Sequence, residues 1–240
     1  MSAAAGGLLA STVALLGAAP FDRPLALLLR HAARDALPAG EAGNSVPITD
    51  SGRQSAGELG AALGAHLRGL HSSPVLRCVQ TAEALAAGSG ASETVVTDRL
   101  LGDPGVFVVD GARAWSNWEA LGHEGVMMRL IAGGEALPGM ARPAEAARLL
   151  VQHLLDVAGG QVGVHVFVTH DSVLAATAAH LLGEPLAPVD WPLFLEGAVF
   201  WREGETVHGR YRRLRSAQPW PLCLDGGASG GVGGDSGAPR

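Results

Sequence analysis

The chain has 240 residues, 48% of them apolar and 17% charged, enough for one domain with a large core and too apolar for wholesale disorder. A formal net charge of -6 with no basic stripe excludes a nucleic-acid binder and leaves any anion site to a local concentration of arginine. Two cysteines, Cys78 and Cys223, supply neither a disulfide framework nor metal-ligand spacing, which fits a reducing, cytoplasmic compartment.

Residues 1–21 carry no charged side chain. They lack the basic start of a secretory signal, and Gly6, Gly7, Ser11, Thr12 and Gly17 interrupt the run, which argues against a membrane span. Leu8 to Leu16 reads as a short helix packed on the domain, with a targeting segment as the other reading. Leu25 to Leu29 is an unbroken apolar run ending at Arg30-His31, the pattern of a strand buried on both faces. After a polar loop, Thr49-Asp50-Ser51 starts a helix predicted over about Gly52 to Arg68. A short strand from Gly69 to Pro74, a helix from Val75 to Ala87 and a strand over 94–97 follow. Val106 to Val109 reads as a further β-rich run, and residues of about 105–142 as an inserted cap. Pro143 to Val157 is predicted helical, with proline in its first turn. Val162 to Thr169 is a second buried strand, ending at His170-Asp171, and Ser172 to Leu182 the helix after it. Leu195 to Trp201 and Thr206 to Tyr211 form a hairpin about Glu203-Gly204. Asp225 to Arg240, with seven glycines, reads as disordered. The domain therefore spans about 21–215, between an apolar extension over 1–20 and a tail over 216–240. Alternating strands and helices make the class α/β with a largely parallel sheet.

Among nine histidines, His31 and His170 are the pair at the ends of long apolar strands. In a parallel sheet those ends share one edge, where open α/β sheets bind ligands. Arg77 starts a helix after a short strand and can face the same crevice, beside backbone donors at the helix N-terminus. Arg30, Arg34, Arg77 and His170 would then converge on one doubly charged phosphoryl group. Several residues have plainer readings. Asp171 can simply cap its helix, Arg34 can pair with Asp35 or Glu41, and Asp103-Pro104-Gly105 can be an ordinary turn. His123 can be a cap residue or line a pocket, and Trp115 and Trp118 can stack on a substrate or anchor the cap.

Four blocks, in order, carry a family resemblance: Leu29-Arg30-His31-Ala32-Ala33-Arg34; Asn44 before Pro47-Ile48-Thr49 and Gly52-Arg53; Ser72-Ser73-Pro74-Val75-Leu76-Arg77-Cys78-Val79-Gln80-Thr81-Ala82; and Val168-Thr169-His170-Asp171. Over about residues 25–215 the chain resembles the histidine phosphatase superfamily, also called phosphoglycerate mutase-like. The resemblance implies a three-layer α/β/α sandwich with a mostly parallel central sheet. It implies that His31 is the nucleophile that becomes phosphorylated, that Arg30, Arg34 and Arg77 hold the phosphoryl oxygens, and that His170 stabilises the transferring group. Asn44 stands where the family often contacts phosphate or substrate. Ala32 replaces the family's usual glycine. The general acid is either Asp171, as in the acid-phosphatase branch, or Asp103, near the mutase-branch position, with Asp171 the first choice; Glu119 and Glu124 are outsiders. The expected activity is metal-independent hydrolysis of a small phosphate monoester without a cofactor, because arginine supplies the charge. A phosphomutase and an inactive phosphate-fold scaffold are the alternatives. The expected partner is a small phosphorylated metabolite, with neither nucleic acid nor membrane.

Overall fold

Alternation along the two histidine-bearing strands determines how the layers stack. The computed structural model describes residues 11–38, 40–90, 92–182, 186–187 and 190–222. Within strand β1 (Pro24–Arg30), Leu25, Leu27 and Leu29 enter one hydrophobic core, while Ala26 and Leu28 enter another. In β4 (Gly163–Thr169), Val164, Val166 and Val168 join the first core and Phe167 the second. Successive side chains of a strand point to opposite faces, so a run apolar on both must lie inside a sheet covered twice.

The sheet has seven strands: β1, β2 (Leu67–Ser72), β3 (Val95–Thr97), β4, β5 (Gly197–Glu203), β6 (Thr206–Tyr211) and β7 (Leu214–Pro219). Their spatial order is β3-β2-β4-β1-β5-β6-β7. The pairs β3–β2, β2–β4 and β4–β1 are parallel, and β5 to β7 extend the sheet antiparallel. Helices α1 (Asp50–Leu63) and α2 (Leu76–Ser89) supply residues to the core that takes Leu27. Helices α3 (Gly111–Ala132), α4 (Pro143–Ala158) and α5 (Asp171–Leu181) line the opposite core. The architecture is the expected α/β/α sandwich. Residues 11–17 are helical, and Leu15 and Leu16 are buried against the α1–α2 layer. Residues 1–10 of the apolar extension and the glycine-rich stretch from Asp225 lie outside the described residues. Among the described residues no helix is long and apolar enough to cross a membrane.

Helix α1 begins where the Thr49 hydroxyl accepts from the Gly52 amide. It ends earlier than expected, at Leu63 rather than Arg68. Gly64, at φ 46°, breaks the helix, and Leu67 belongs to β2 instead. The two helices of this layer touch backbone to backbone: a Cβ on Gly60 would lie 2.1 Å from the Leu85 carbonyl oxygen. The β-rich run over 106–109 is also corrected. Gly105 turns the chain at φ 88°, Phe107 is buried, and Val108 makes one isolated bridge to Met140. The stretch expected as a cap holds α3, broken at Gly122 (φ 66°, ψ 176°), followed by a loop to Arg142. Strand β7 lies partly in the stretch expected to be tail, so ordered chain continues past residue 216.

Candidate active site

The parallel pairing of β1 with β4 sets Arg30 opposite Thr169, so both strands deliver their histidines at the same sheet edge. The His31 amide donates to the Thr169 carbonyl at 2.9 Å. The two imidazole centroids are 5.7 Å apart, with rings inclined at 69°. Helices α2 and α5 both begin at this edge, Arg77 in the first turn of one and Asp171 in that of the other.

Arg77 joins the two rings. Its Nε donates to His31 Nε2 at 3.2 Å, its Nη2 to His170 Nδ1 at 3.2 Å, and its Nη1 to the Gly43 carbonyl at 2.9 Å. Guanidinium only donates, so both contacted ring nitrogens present lone pairs. His31 Nδ1 lies 2.8 Å from the Ala32 carbonyl and must be the N–H that donates to it. The lone pair of Nε2 thus faces the arginine. Burial, the neighbouring His170 ring and the charges of Arg77 and Arg30 hold the His31 pKa well below the usual imidazole value. Burial and Arg77 push His170 down to about 3. His170 Nε2–H is left to donate to the Ser73 hydroxyl at 3.2 Å.

The other residues of the Ser73–Ala82 block hold the His31 loop. Thr81 Oγ1 accepts from the Ala32 amide at 3.0 Å and donates to the Arg77 carbonyl at 2.6 Å. Gln80 accepts from the Ile48 amide at 3.0 Å. Cys78 packs beneath His170, with Sγ 3.7 Å from Nε2, and burial pushes its thiol up to about 12, which keeps it protonated.

His31, Arg34, Asn44, Arg77, Asp103, His170 and Asp171 line one cleft of about 640 Å³. Arg34 donates to the Asp35 carbonyl rather than pairing with the Asp35 or Glu41 carboxylates, and its buried Nε has no partner. Arg30 is outside the lining. Its Nη2 pairs with Asp171 Oδ2 at 2.9 Å, its Nη1 donates to the Pro192 carbonyl at 2.6 Å, and its carbon Cζ sits 4.2 Å from the centre of the Phe194 ring. Asp171 also lies 3.7 Å from His123 Nε2. Burial raises the Asp171 pKa, but the nearby His123 ring and the Arg30 charge outweigh it and hold the carboxyl well below the ordinary range. Asp103 differs: among the described residues it forms no ion pair, and it lines the cleft at φ 58°. Its neighbour Gly102 lies against the histidine-bearing edge, where a Cβ would come 2.6 Å from both His170 Nε2 and Ser73 Oγ.

A family model described as the histidine phosphatase superfamily, branch 1, matches residues 26–199. The chain belongs to this superfamily. Solved structures of the same fold include a mycobacterial hydrolase, at 20% identity and TM-score 0.53, covering 82% of this chain and 97% of the other. A phosphoserine phosphatase variant from Entamoeba histolytica, bound to phosphoserine, is 17% identical with TM-score 0.52, covering 83% and 99%. A mycobacterial glucosyl-3-phosphoglycerate phosphatase complexed with VO3 is 22% identical with TM-score 0.50, covering 82% and 98%. No curated protein matches the chain in sequence.

Two supports of this superfamily site escaped the motif reading. His153 Nε2 meets Asp98 Oδ2 at 2.6 Å, fastening the loop that leads to Gly102 and Asp103 onto α4. Glu196, 5% exposed, accepts from Arg212 Nε at 2.5 Å and from the Leu193 amide at 2.8 Å. That pair holds the turn carrying Pro192 and Phe194 against Arg30. In the sequence the second pair is no more than a carboxylate sixteen residues before an arginine.

Proposed function

We propose that the chain is a phosphatase that hydrolyses phosphate monoesters through a phosphohistidine on His31. The observation that carries this reading is the Arg77 bridge, which holds two neutral imidazoles at one anion-sized point. In the first step His31 Nε2 attacks phosphorus and the ester P–O bond breaks. Arg77 and Arg34 turn their N–H groups to the phosphoryl oxygens, and Asn44 lies within the same lining. Phosphoryl transfer needs in-line positioning and neutralised equatorial charge, which these groups supply without a metal. Incoming phosphate also makes protonation of His170 favourable, so it meets the transferring group as a cation.

The departing alkoxide needs a proton. Asp171 is ill suited, because the ion pair with Arg30 keeps it anionic; it positions Arg30 and His123 instead. We assign the acid to Asp103, which then accepts a proton from the water that attacks the phosphohistidine. Orthophosphate leaves and His31 is restored. Arg30 contributes charge and holds Asp171, rather than gripping phosphate directly. The phosphatase names among the solved relatives favour hydrolysis over mutase chemistry.

The test is turnover of p-nitrophenyl phosphate in EDTA, with wild type and His31→Ala and His170→Ala. Orthophosphate release that persists in EDTA and is lost in both variants is expected. An unimpaired His31→Ala enzyme overturns the covalent route, and a phosphorylated isomer as the product identifies a mutase.

A further inference from the structure

Beyond the histidines the cleft changes character. Phe107, Leu130, Met140 and Val173 line it as buried side chains, and Trp115 and Trp118 as half-buried ones. They come from the 105–108 turn, both halves of the broken helix α3, the loop before α4 and the first turn of α5. A phosphate occupies a small part of about 640 Å³, so most of the volume belongs to whatever is esterified to it. Charge at the rim is one-sided. The arginines of the lining are Arg34 and Arg77, both at the phosphate end; of its carboxyl groups Asp171 is paired with Arg30 and Asp103 carries the transferable proton, which leaves Glu41 and Glu119. Glu119 accepts from the Trp115 indole at 3.0 Å, which satisfies the ring's one donor and restrains it.

From this lining we infer that the substrate's leaving group is bulky and apolar, aromatic or branched, with no second anionic group. This deepens the phosphatase reading and rests on it. A carboxylate or a second phosphate would meet Glu41 and Glu119 with no arginine of the lining left to receive it. An apolar group gains from leaving water, and two indole faces offer a large, rigid contact area.

Binding and turnover test this separately. Binding uses 2-(1-naphthyl)ethylphosphonate against 2-hydroxyethylphosphonate, measured by calorimetry at pH 7. The naphthyl probe is expected to bind about 100-fold tighter. Trp115→Ala and Trp118→Ala should each cut that ratio about tenfold, with Trp118→Leu preserving part of it. Equal affinities, or ratios unmoved by all three variants, overturn the inference. Turnover compares orthophosphate release from 2-(1-naphthyl)ethyl phosphate, 3-phosphoglycerate, phosphoserine and phosphocholine. Higher kcat/KM for any of the last three overturns the inference and leaves the phosphatase standing. No release from any ester overturns the phosphatase reading, and the binding ratio still decides whether the cleft selects apolar groups.

Discussion

Arg30 and Asp171, 141 positions apart, form a 2.9 Å ion pair whose side chains are 12% and 20% exposed. Such a pair stabilises little against a well-packed apolar alternative, yet breaking it strands one charge in poor solvent. Asp171→Ala should therefore lower unfolding free energy by about 2 kcal/mol in urea titrations. Arg30→Met combined with Asp171→Ala should cost clearly less than the sum of the two single changes. The same aspartate divides from Asp103 by leaving group. Asp103→Asn should slow alkyl phosphates about 100-fold or more while nearly sparing p-nitrophenyl phosphate, whose departing phenolate needs little protonation. If Asp171→Asn shows that signature instead, the acid is Asp171.

The imidazoles of His31 and His170 have pKa values below that of an exposed histidine, His170 at about 3. The unfolded chain then binds more protons than the folded one between the two values. For His170 the contribution is fully present above about pH 6.5 and is lost as pH falls toward 3, at up to about 1.4 kcal/mol per pH unit; His31 acts with the same sign. His153 works with the opposite sign. Its pKa is raised by Asp98, so its contribution is present below about 6.5 and disappears as pH rises through the folded value. Thermal denaturation between pH 3 and 9 should show His170→Asn flattening the acid limb and His153→Gln flattening the alkaline one. For catalysis, kcat/KM should show no loss near pH 6.5 from protonation of His31.

Thr81 should be needed for its hydroxyl. Thr81→Val keeps the shape but leaves the Ala32 amide buried and unpaired, costing about 1–3 kcal/mol. Because the lost bond anchors the residue after His31, kcat should fall more than KM rises, and Thr81→Ser should restore most of it.

Gly102→Ala tests the closeness of the Asp103 loop to His170. The added methyl would overlap His170 Nε2 and Ser73 Oγ, at a φ of 155° that side chains rarely adopt. The loop must retreat and take Asp103 with it. We expect kcat to drop about tenfold or more with a folded protein by circular dichroism.

The sheet edge was readable because β1 and β4 are apolar on both faces and each stops at histidine. Arg77 was readable because its helix starts directly after a strand. What escaped has a common cause: partners that meet only after folding. Nothing near Asp98 announces His153, 55 positions later on α4. Strand β7 escaped because its residues are mostly polar and its turn puts Arg212 at φ 50° without a glycine to mark it. The preference for Asp171 over Asp103 rested on the likeness of Arg30-His31-x-x-Arg34 with His170-Asp171 to the acid-phosphatase branch; its ion pair with Arg30, 141 positions away, had no signal in the sequence.

The parallel pairing of β1 and β4 has a consequence for divergence within the fold. No loop intervenes between the carriers of residues 31 and 170: they are hydrogen-bonded neighbours throughout, one ladder rung wide. Insertions and deletions over 105–142 can therefore reshape the cleft without altering the spacing of the two rings. A single-residue slip in either strand would instead throw one ring across the sheet, so that tolerance there is all or nothing.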